Sequence, residues 1–197
     1  MLTKVTKKKT ASVRIIAGKW RRRRVYFPDV PGLRPTQDHV RETLFNWLQH
    51  SLQETRCLDL FAGSGVLGLE ALSRGAASVT FVDAHRDVVN TINENARHLS
   101  VNNYEVYHAT IPGFATPPFT SVYDVVFLDP PFGQDLLLPS LNWLVAQHLI
   151  NQETVIYFET DHAGRHCLEQ LDCDIVCEKK TQSIVYGLLH LNSTDIK

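Results

Sequence analysis

The fold of this 197-residue chain is decided by the stretch Cys57-Leu58-Asp59-Leu60-Phe61-Ala62-Gly63-Ser64-Gly65-Val66-Leu67-Gly68. Its first five residues are typical of a short buried strand, and the apolar period that follows predicts a helix ending near Gly75. The three glycines fit G-x-G-x-x-G, in which the first two let backbone approach a ligand and the third permits close helix packing. The stretch therefore predicts an α/β unit with a ligand-binding turn.

An acidic residue follows at the end of the next predicted strand. Residues 78–82, Ser-Val-Thr-Phe-Val, end in Asp83, a position that suits an acid binding the two hydroxyls of a ribose. The glycine turn and this acid together indicate an adenosine-containing cofactor, without distinguishing NAD from S-adenosylmethionine. In the second case the helix start after Gly65 would face the methionine carboxylate and Asp59 the ammonium. The alternative for Asp59 is to accept backbone N–H bonds within the turn.

The motif Asp129-Pro130-Pro131-Phe132 directly follows the apolar run at 125–128. An amino group on a nucleobase is a poor nucleophile because its lone pair is delocalised into the ring. The Asp129 carboxylate and the Pro130 carbonyl, whose direction the prolines restrict, can accept its two N–H bonds, while Phe132 stacks on the base. The alternative is an ordinary proline-rich turn. Hydride transfer has no use for this motif, so it favours methyl transfer from S-adenosylmethionine.

Predicted strands and helices alternate along the rest of the chain. Strands near 56–60, 78–82, 104–108, 123–128 and 154–159 are separated by helices near 65–74, 86–99 and 136–147. This alternation predicts a doubly wound, mostly parallel sheet, to which a C-terminal hairpin within 175–189 adds antiparallel edge strands. We expect a disordered basic tail over 1–12, an N-terminal β-hairpin arm over 13–32, the catalytic domain over 33–191 and a C-terminal tail over 192–197.

The net charge of −1 conceals a basic N-terminus. Residues 1–24 contain ten lysines and arginines and no acid. Such a segment suits a phosphate-rich partner, with Trp20 as a stacking surface among the cations. The predicted RNA-binding residues are Lys19, Trp20, Arg21, Arg22, Arg23 and Arg24. The alternatives are a solvated basic tail and a localisation signal.

Other features of the sequence bear on location and metals. No apolar stretch is long enough to cross a bilayer, and no uninterrupted apolar segment follows the basic start as in a secretory signal. The four cysteines lack a paired C-x-x-C spacing and are expected to be free thiols. His162 and His166 are four residues apart but favour a surface pair over a metal site. We therefore expect a cytoplasmic protein without a metal.

Three segments together closely resemble the RsmD family of bacterial 16S rRNA guanine-N2 methyltransferases. They are 33–48 (LRPTQDHVRETLFNWL), 59–75 (DLFAGSGVLGLEALSRG) and 129–132 (DPPF), and the resemblance runs from about Arg14 to Leu191. It implies a class I S-adenosylmethionine-dependent methyltransferase of Rossmann-like α/β fold. It also implies S-adenosylmethionine as methyl donor and, as substrate, one guanine of 16S rRNA within the 30S subunit. We expect the enzyme to act as a monomer.

The resemblance assigns roles to individual positions. The expected cofactor-binding residues are Asp59, Phe61, Ala62, Gly63, Ser64 and Gly65 at the methionine end, Asp83 and Ala84 at the ribose, and Thr110 and Ile111 near the adenine. The expected catalytic residues are Asp129, Pro130, Pro131 and Phe132. Thr36 and Arg41 are expected over the cofactor pocket. The alternative is that they cap and solvate the helix that the apolar stripe Val40, Leu44, Trp47 and Leu48 predicts from near Thr36. Two positions depart from the family pattern: relatives often carry glutamate at 83, and an acidic or amide residue where this chain has Ala109-Thr110-Ile111.

Three other functions stay open at this stage. A different amine methyltransferase, acting on DNA adenine or a protein glutamine, shares the proline motif. An NAD-dependent oxidoreductase shares the glycine turn, and a non-catalytic RNA-binding module would keep the fold without turnover.

Overall fold

The computed structural model describes residues 10–30, 35–114, 118 and 121–192. Most of the predicted N-terminal tail, the last part of the predicted hairpin arm, residues 33 and 34 and residues 193–197 of the C-terminal tail lie outside these ranges. The helices and strands are β1 Thr10–Arg14, β2 Arg24–Pro28, α1 Asp38–Trp47, β3 Arg56–Asp59, α2 Val66–Ser73, β4 Ser78–Asp83, α3 Arg86–Leu99, β5 Tyr104–His108, β6 Val125–Leu128, α4 Leu137–Ala146, β7 Val155–Thr160, β8 Cys173–Lys180 and β9 Val185–Leu191. A 3₁₀ helix over Gly164–Gln170, which the sequence did not predict, follows β7.

The main sheet has seven strands in the order β5-β4-β3-β6-β7-β9-β8. Strands β3 to β7 pair parallel with one another, and β9 pairs antiparallel with β7 on one side and β8 on the other. This order confirms the predicted doubly wound sheet with a C-terminal edge hairpin. Helices α1 to α3 cover one face and α4 the other, because the apolar side chains of the strands alternate between two buried clusters.

The position of the ligand-binding crevice follows from this strand order. From β3 the chain proceeds to β4 and β5 on one side, and from β6 it proceeds to β7 on the other. The two central strands are paired in register, with Asp59 opposite Phe127. The sheet therefore reverses its winding between β3 and β6, and ligands of open α/β sheets bind at the carboxyl ends of the strands at such a point.

The N-terminal hairpin is packed against the domain instead of extending from it. Strands β1 and β2 pair antiparallel with Val13 opposite Val25. The Asn95 side chain on α3 accepts a hydrogen bond from the Tyr26 N–H (2.9 Å) and donates one to the Tyr26 carbonyl (2.6 Å). Ile15 and Val25 are buried in the same apolar cluster as α2 and α3. The expected hairpin is confirmed, and its inner side belongs to the core.

Within the described residues, no helix is both long and apolar enough to cross a membrane. The same part of the chain contains no cluster of metal-ligating side chains. The four cysteines, of which Cys57 is buried, are free thiols.

Candidate functional site

Asp129 lies at the carboxyl end of β6, beside the point where the sheet reverses its winding. The side chain of Asp129 is half-buried, Pro130 is buried and Phe132 is 47% exposed. The Thr36 hydroxyl donates a hydrogen bond to Asp129 Oδ2 at 3.4 Å. The motif therefore contains a carboxylate oriented by Thr36 and, three residues later, the exposed ring of Phe132. Both features are compatible with the predicted contacts to a base.

The electrostatic surroundings of Asp129 are acidic. Burial, followed by the charges of Glu159 and Asp59, raises the pKa of Asp129 well above its usual range, while the Thr36 hydrogen bond opposes the shift. Glu159 is buried on the neighbouring strand β7 and accepts a hydrogen bond from the Tyr157 hydroxyl at 2.8 Å. Burial raises the pKa of Glu159 too. A proton is therefore held readily at this edge of the sheet.

Glu159 was not singled out from the sequence, although a signal was present. It comes near the end of an apolar predicted strand, as Asp59 and Asp83 do. The proximity of Glu159 to Asp129 depends on β7 pairing with β6, where Phe158 lies opposite Leu128.

The glycine turn joins β3 to α2 through a backbone conformation that only glycine adopts without strain at Gly65. Gly65 precedes the first residue of α2 with φ +71°, and a Cβ atom there would lie 2.9 Å from the Ile92 side chain. A larger residue would thus be strained twice, by its conformation and by contact. Ser64 is buried and its Oγ accepts a hydrogen bond from the Val66 N–H at 3.3 Å. The N-terminus of α2 consequently faces the crevice, where its dipole suits a carboxylate.

Asp83 connects the glycine turn to the end of β4. Its Oδ2 accepts a hydrogen bond from the Gly63 N–H at 2.8 Å and its Oδ1 one from the His85 N–H at 2.7 Å. Both oxygens retain lone pairs beyond these bonds, since a carboxylate has about four acceptor positions. Binding of ribose hydroxyls by Asp83 stays a prediction that this geometry permits.

Asp59 is buried at the end of β3, with 2% of its surface exposed. Its Oδ2 accepts a hydrogen bond from the Gly68 N–H at 3.1 Å. Burial raises the pKa of Asp59 to about 7, and the charge of Asp83 adds to the shift, whereas the Gly68 bond opposes it. Asp59 therefore does serve as an acceptor for α2, and its role toward an ammonium remains a prediction.

The residues expected near the cofactor's ribose and adenine fall into exposed and buried groups. Ala84 and Thr110 are exposed at the ends of the neighbouring strands β4 and β5, which are tied by the Ala109 N–H donating to the Asp83 carbonyl at 3.0 Å. Ile111 is buried in the core. In the turn, Phe61 is half-buried and Ala62 is buried, with its N–H bonded to the Val82 carbonyl at 3.1 Å. Thr110 is thus placed to contact a ligand, whereas Ile111 offers it little surface.

Arg41 is buried inside the protein and is not exposed on the surface of α1. Its guanidinium is fully buried and donates to the Thr36 carbonyl (3.2 Å), the Arg14 carbonyl (3.1 Å) and Asp38 (2.7 Å), and it lies 3.6 Å from Glu70. Because its guanidinium is buried, Arg41 does not solvate the helix, whereas its place over the cofactor pocket stays a prediction. Thr36 is not the helix cap either, because Gln37 occupies that position.

Trp20 also departs from expectation. Its ring is only 8% exposed and belongs to the buried cluster beneath the hairpin, so it offers RNA no stacking surface. The Trp20 N–H donates to Ser73 Oγ at 2.9 Å, and the Lys19 ammonium lies 5.2 Å from the ring centroid. The Trp20 ring is buried although its neighbours in sequence are cations, because burial removes more of its apolar area from water than a surface position would. Arg21, Arg22, Arg23 and Arg24, in contrast, are all exposed.

Together, the strand order with antiparallel β9 between β7 and β8, the glycine turn, the acid at the end of β4 and the Asp129 motif define a class I S-adenosylmethionine-dependent methyltransferase. Comparison with known proteins specifies the family. The model of the family described as "Conserved hypothetical protein 95" matches residues 13–189. The chain belongs to this family, which is the RsmD family indicated by its sequence.

Individual relatives support the assignment. The "Ribosomal RNA small subunit methyltransferase D" of Escherichia coli K12 is 43% identical over 152 residues, which cover 77% of this chain and 76% of that protein. A solved structure from Escherichia coli, named as the methyltransferase yhhF, is 36% identical with a TM-score of 0.80 over 92% of this chain and 98% of the other. The Thermus thermophilus 16S rRNA N2 G1207 methyltransferase, in complex with AdoMet and guanosine, shares the fold at 17% identity and a TM-score of 0.69, covering 94% of this chain and 50% of the other.

Proposed function

We propose that this protein is an S-adenosylmethionine-dependent methyltransferase that modifies the exocyclic N2 of a guanine in 16S rRNA. The observation that carries the proposal is the placement of Asp129-Pro130-Pro131-Phe132 at the winding reversal, on the strand next to the glycine turn. Two further observations support it: relatives in the family bear the name of a small-subunit rRNA methyltransferase, and a protein of the same fold was solved with AdoMet and guanosine.

The residues of this chain fit a direct displacement at nitrogen. S-adenosylmethionine supplies an electrophilic methyl group on a sulfonium. Asp129 and the Pro130 carbonyl accept the N–H bonds of the amine, which orients its lone pair along the line of attack, while Phe132 holds the ring. The N–C bond forms as the C–S bond breaks, and the surplus proton on nitrogen leaves to Asp129 or to water. No covalent enzyme intermediate is required.

Asp129 must be ionised before the transfer if its carboxylate is to accept the N–H bonds of the amine. Its raised pKa favours the neutral carboxyl before the substrates bind. A sulfonium and two N–H donors close to Asp129 lower that pKa, because a nearby positive charge and hydrogen bonds to the charged form both favour ionisation. Asp129 can therefore accept hydrogen bonds before the transfer and take a proton after it, when the sulfonium charge has gone.

The finer features of the proposal concern the setting of the reaction. We propose the 30S subunit, assembled or assembling, as the substrate particle, and the bacterial cytoplasm as the place of action, because 16S rRNA is modified there as subunits form. A monomer is the expected active state.

Labelled methyl incorporation tests the proposal. S-adenosylmethionine with a labelled methyl group is given to unmodified 30S particles, naked 16S rRNA and duplex DNA, and the modified base is mapped. We expect label at the N2 of one guanine in 16S rRNA, highest with 30S particles. Label in DNA adenine or in protein, binding of NAD instead of S-adenosylhomocysteine, or RNA binding with no label would each contradict the assignment and favour one of the three other functions.

A further inference from the structure

The exposed arginines of the hairpin lie at the end of the domain opposite to Asp129. The basic loop, which comprises residues 19–24, is fixed by two hydrogen bonds to Ser73, the last residue of α2: from the Lys19 N–H to its carbonyl (2.7 Å) and from the Trp20 N–H to its Oγ (2.9 Å). Arg23 Nη2 donates to the carbonyl of His98, in the last turn of α3, at 3.3 Å. Both helices begin at the carboxyl edge of the sheet and end at its amino edge. The basic loop therefore lies at the amino edge.

The separation of the basic loop from the reacting edge follows from helix geometry. Helix α3 starts just after β4 and has 14 residues. At 1.5 Å per residue it spans about 20 Å, which is the distance along the sheet between the level of Asp83 and that of His98. Asp129 lies at the same edge as Asp83, so the arginines and the motif are separated by about the full height of the domain.

This loop is held rigidly, unlike a solvated tail. The buried carboxylate of Glu70 accepts the Ile16 N–H at 2.7 Å and the Ala17 N–H at 2.9 Å, just before the loop begins. The Glu70 carboxylate is itself paired with Arg74 at 2.8 Å. A buried carboxylate that joins hairpin to helix fixes the direction in which the loop projects its charges.

The surface around the basic loop suits phosphates. A cleft of about 470 Å³ beside it is lined by Ile16, Ala17, Gly18, Arg21, Glu42, Asn46 and Arg74. Arg22 and Arg24 are exposed on the loop, and Arg97 is exposed in the last turn of α3 next to His98. Exposed arginines neutralise backbone phosphates, and such contacts position an RNA without reading its sequence.

We propose that the basic loop is a second RNA-binding point, one that contacts backbone phosphates about 20 Å from the target base. The inference rests on the proposed function and adds a requirement on its substrate. With about 3.4 Å between stacked nucleotides, the RNA must extend at least about six nucleotides from the guanine, in a folded shape that reaches both edges of the sheet. A short unpaired strand that fills the reacting edge cannot reach the loop.

The test compares charge loss with charge retention on two lengths of RNA. Arg21→Gln with Arg24→Gln removes two exposed charges and leaves Arg23 and its bond to His98 intact; Arg22 is left unchanged because its φ is +68°. The matched control, Arg21→Lys with Arg24→Lys, keeps both charges. Binding is measured by fluorescence anisotropy with S-adenosylhomocysteine present, on a five-nucleotide RNA and on a folded 16S rRNA fragment, each with the target guanine.

On the folded fragment, affinity should fall with salt more steeply for wild type and the lysine variant than for the glutamine variant. Two phosphate contacts add about 1.8 to the slope of log affinity against log salt concentration, so the extra loss between about 50 and about 200 mM is roughly tenfold. On the five-nucleotide RNA all three proteins should behave alike. Equal salt slopes on the folded fragment, or the same difference on the short RNA, would overturn the second binding point. Failure of the proposed function is distinguishable, because it would appear as absent methyl incorporation by wild type whatever the salt slopes.

Discussion

The affinity for S-adenosylhomocysteine should depend on pH through Asp59. This carboxyl is 2% exposed, and its burial raises its pKa from 3.8 to about 7. If Asp59 attracts the ammonium of the bound ligand, only its ionised form binds well, and binding must cost the free energy of removing its proton at low pH. If Asp59 serves only as an acceptor for the Gly68 N–H, the affinity has no reason to follow its ionisation.

The size of the effect follows from the fraction of ionised Asp59. With a pKa of about 7, about three quarters of the carboxyl is ionised at about pH 7.5 and about 3% at about pH 5.5, so the affinity should fall about 25-fold between them. The α-ammonium of a ligand with a free α-carboxylate is less acidic than a peptide N-terminus and ionises well above this range, so the ligand keeps its ammonium throughout. Titration calorimetry at several pH values measures the change directly.

Asp59→Asn is the control for this prediction. The asparagine carbonyl can still accept the Gly68 N–H, so the turn into α2 is preserved, but the variant should bind weakly and with almost no pH dependence. A flat profile in wild type, or an equally steep one in Asp59→Asn, would refute the ammonium role and leave only the structural one.

The raised pKa of Asp59 also predicts how the free energy of unfolding changes with pH. Because its pKa is higher in the folded than in the unfolded protein, the folded state holds the extra proton, so the stabilisation is complete below about pH 4 and is lost as the pH rises through about 7. The loss amounts to about 4 kcal/mol, at about 1.4 kcal/mol per unit of pKa. Urea unfolding of wild type and Asp59→Asn across this range should show a steeper decline in wild type; parallel curves would contradict the buried titration.

Three further substitutions test the site and its support. Asp129→Ala should keep the affinity for S-adenosylhomocysteine and lower the single-turnover rate about 100-fold or more; an unchanged rate would remove its catalytic assignment. Glu70→Gln removes the buried negative charge that faces Arg41 and Arg74, and it replaces one carboxylate oxygen that accepts a hairpin N–H, so urea unfolding should show a loss of about 3 kcal/mol; a loss below about 1 kcal/mol would contradict the account of the hairpin contact. Gly68→Ala places a Cβ 2.3 Å from the Phe81 ring and should lower the free energy of unfolding by about 1 to 3 kcal/mol; an unchanged melting temperature would show that the helix has room to shift.

The sheet and its winding could be predicted from the sequence because the relevant signals are local. Each parallel strand except β5 contains a short apolar run, and its end is marked within one or two residues by a glycine turn, an acid or a proline pair. Asp59 and Asp129 could be placed at one edge for the same reason, since parallel strands bring their carboxyl ends together. Asp59 lies opposite Phe127 on the neighbouring strand, two residues before Asp129, so both acids are at the same edge of the sheet.

The hairpin contact could not be predicted, because its partners are more than 50 residues apart in the chain. Glu70 belongs to a segment that predicts a helix and nothing else, yet its carboxylate binds the backbone of Ile16 and Ala17. Trp20 was misinterpreted for a related reason: its neighbours in sequence are cations, whereas its neighbours in space are apolar. Burial of one residue inside a charged run is decided by tertiary packing, which periodicity over so short a segment does not reveal.

The charge of the reacting edge itself argues for one cofactor over the other. Asp59, Asp129 and Glu159 all have raised pKa values there, and none of them forms an ion pair with another described residue. The two phosphates of NAD would add negative charge to an edge that already disfavours it. S-adenosylmethionine brings a sulfonium and an ammonium against one carboxylate, so its net positive charge offsets these acids. Because the sulfonium charge disappears on methyl transfer, the same acids should hold the product less tightly than the donor, which favours product release.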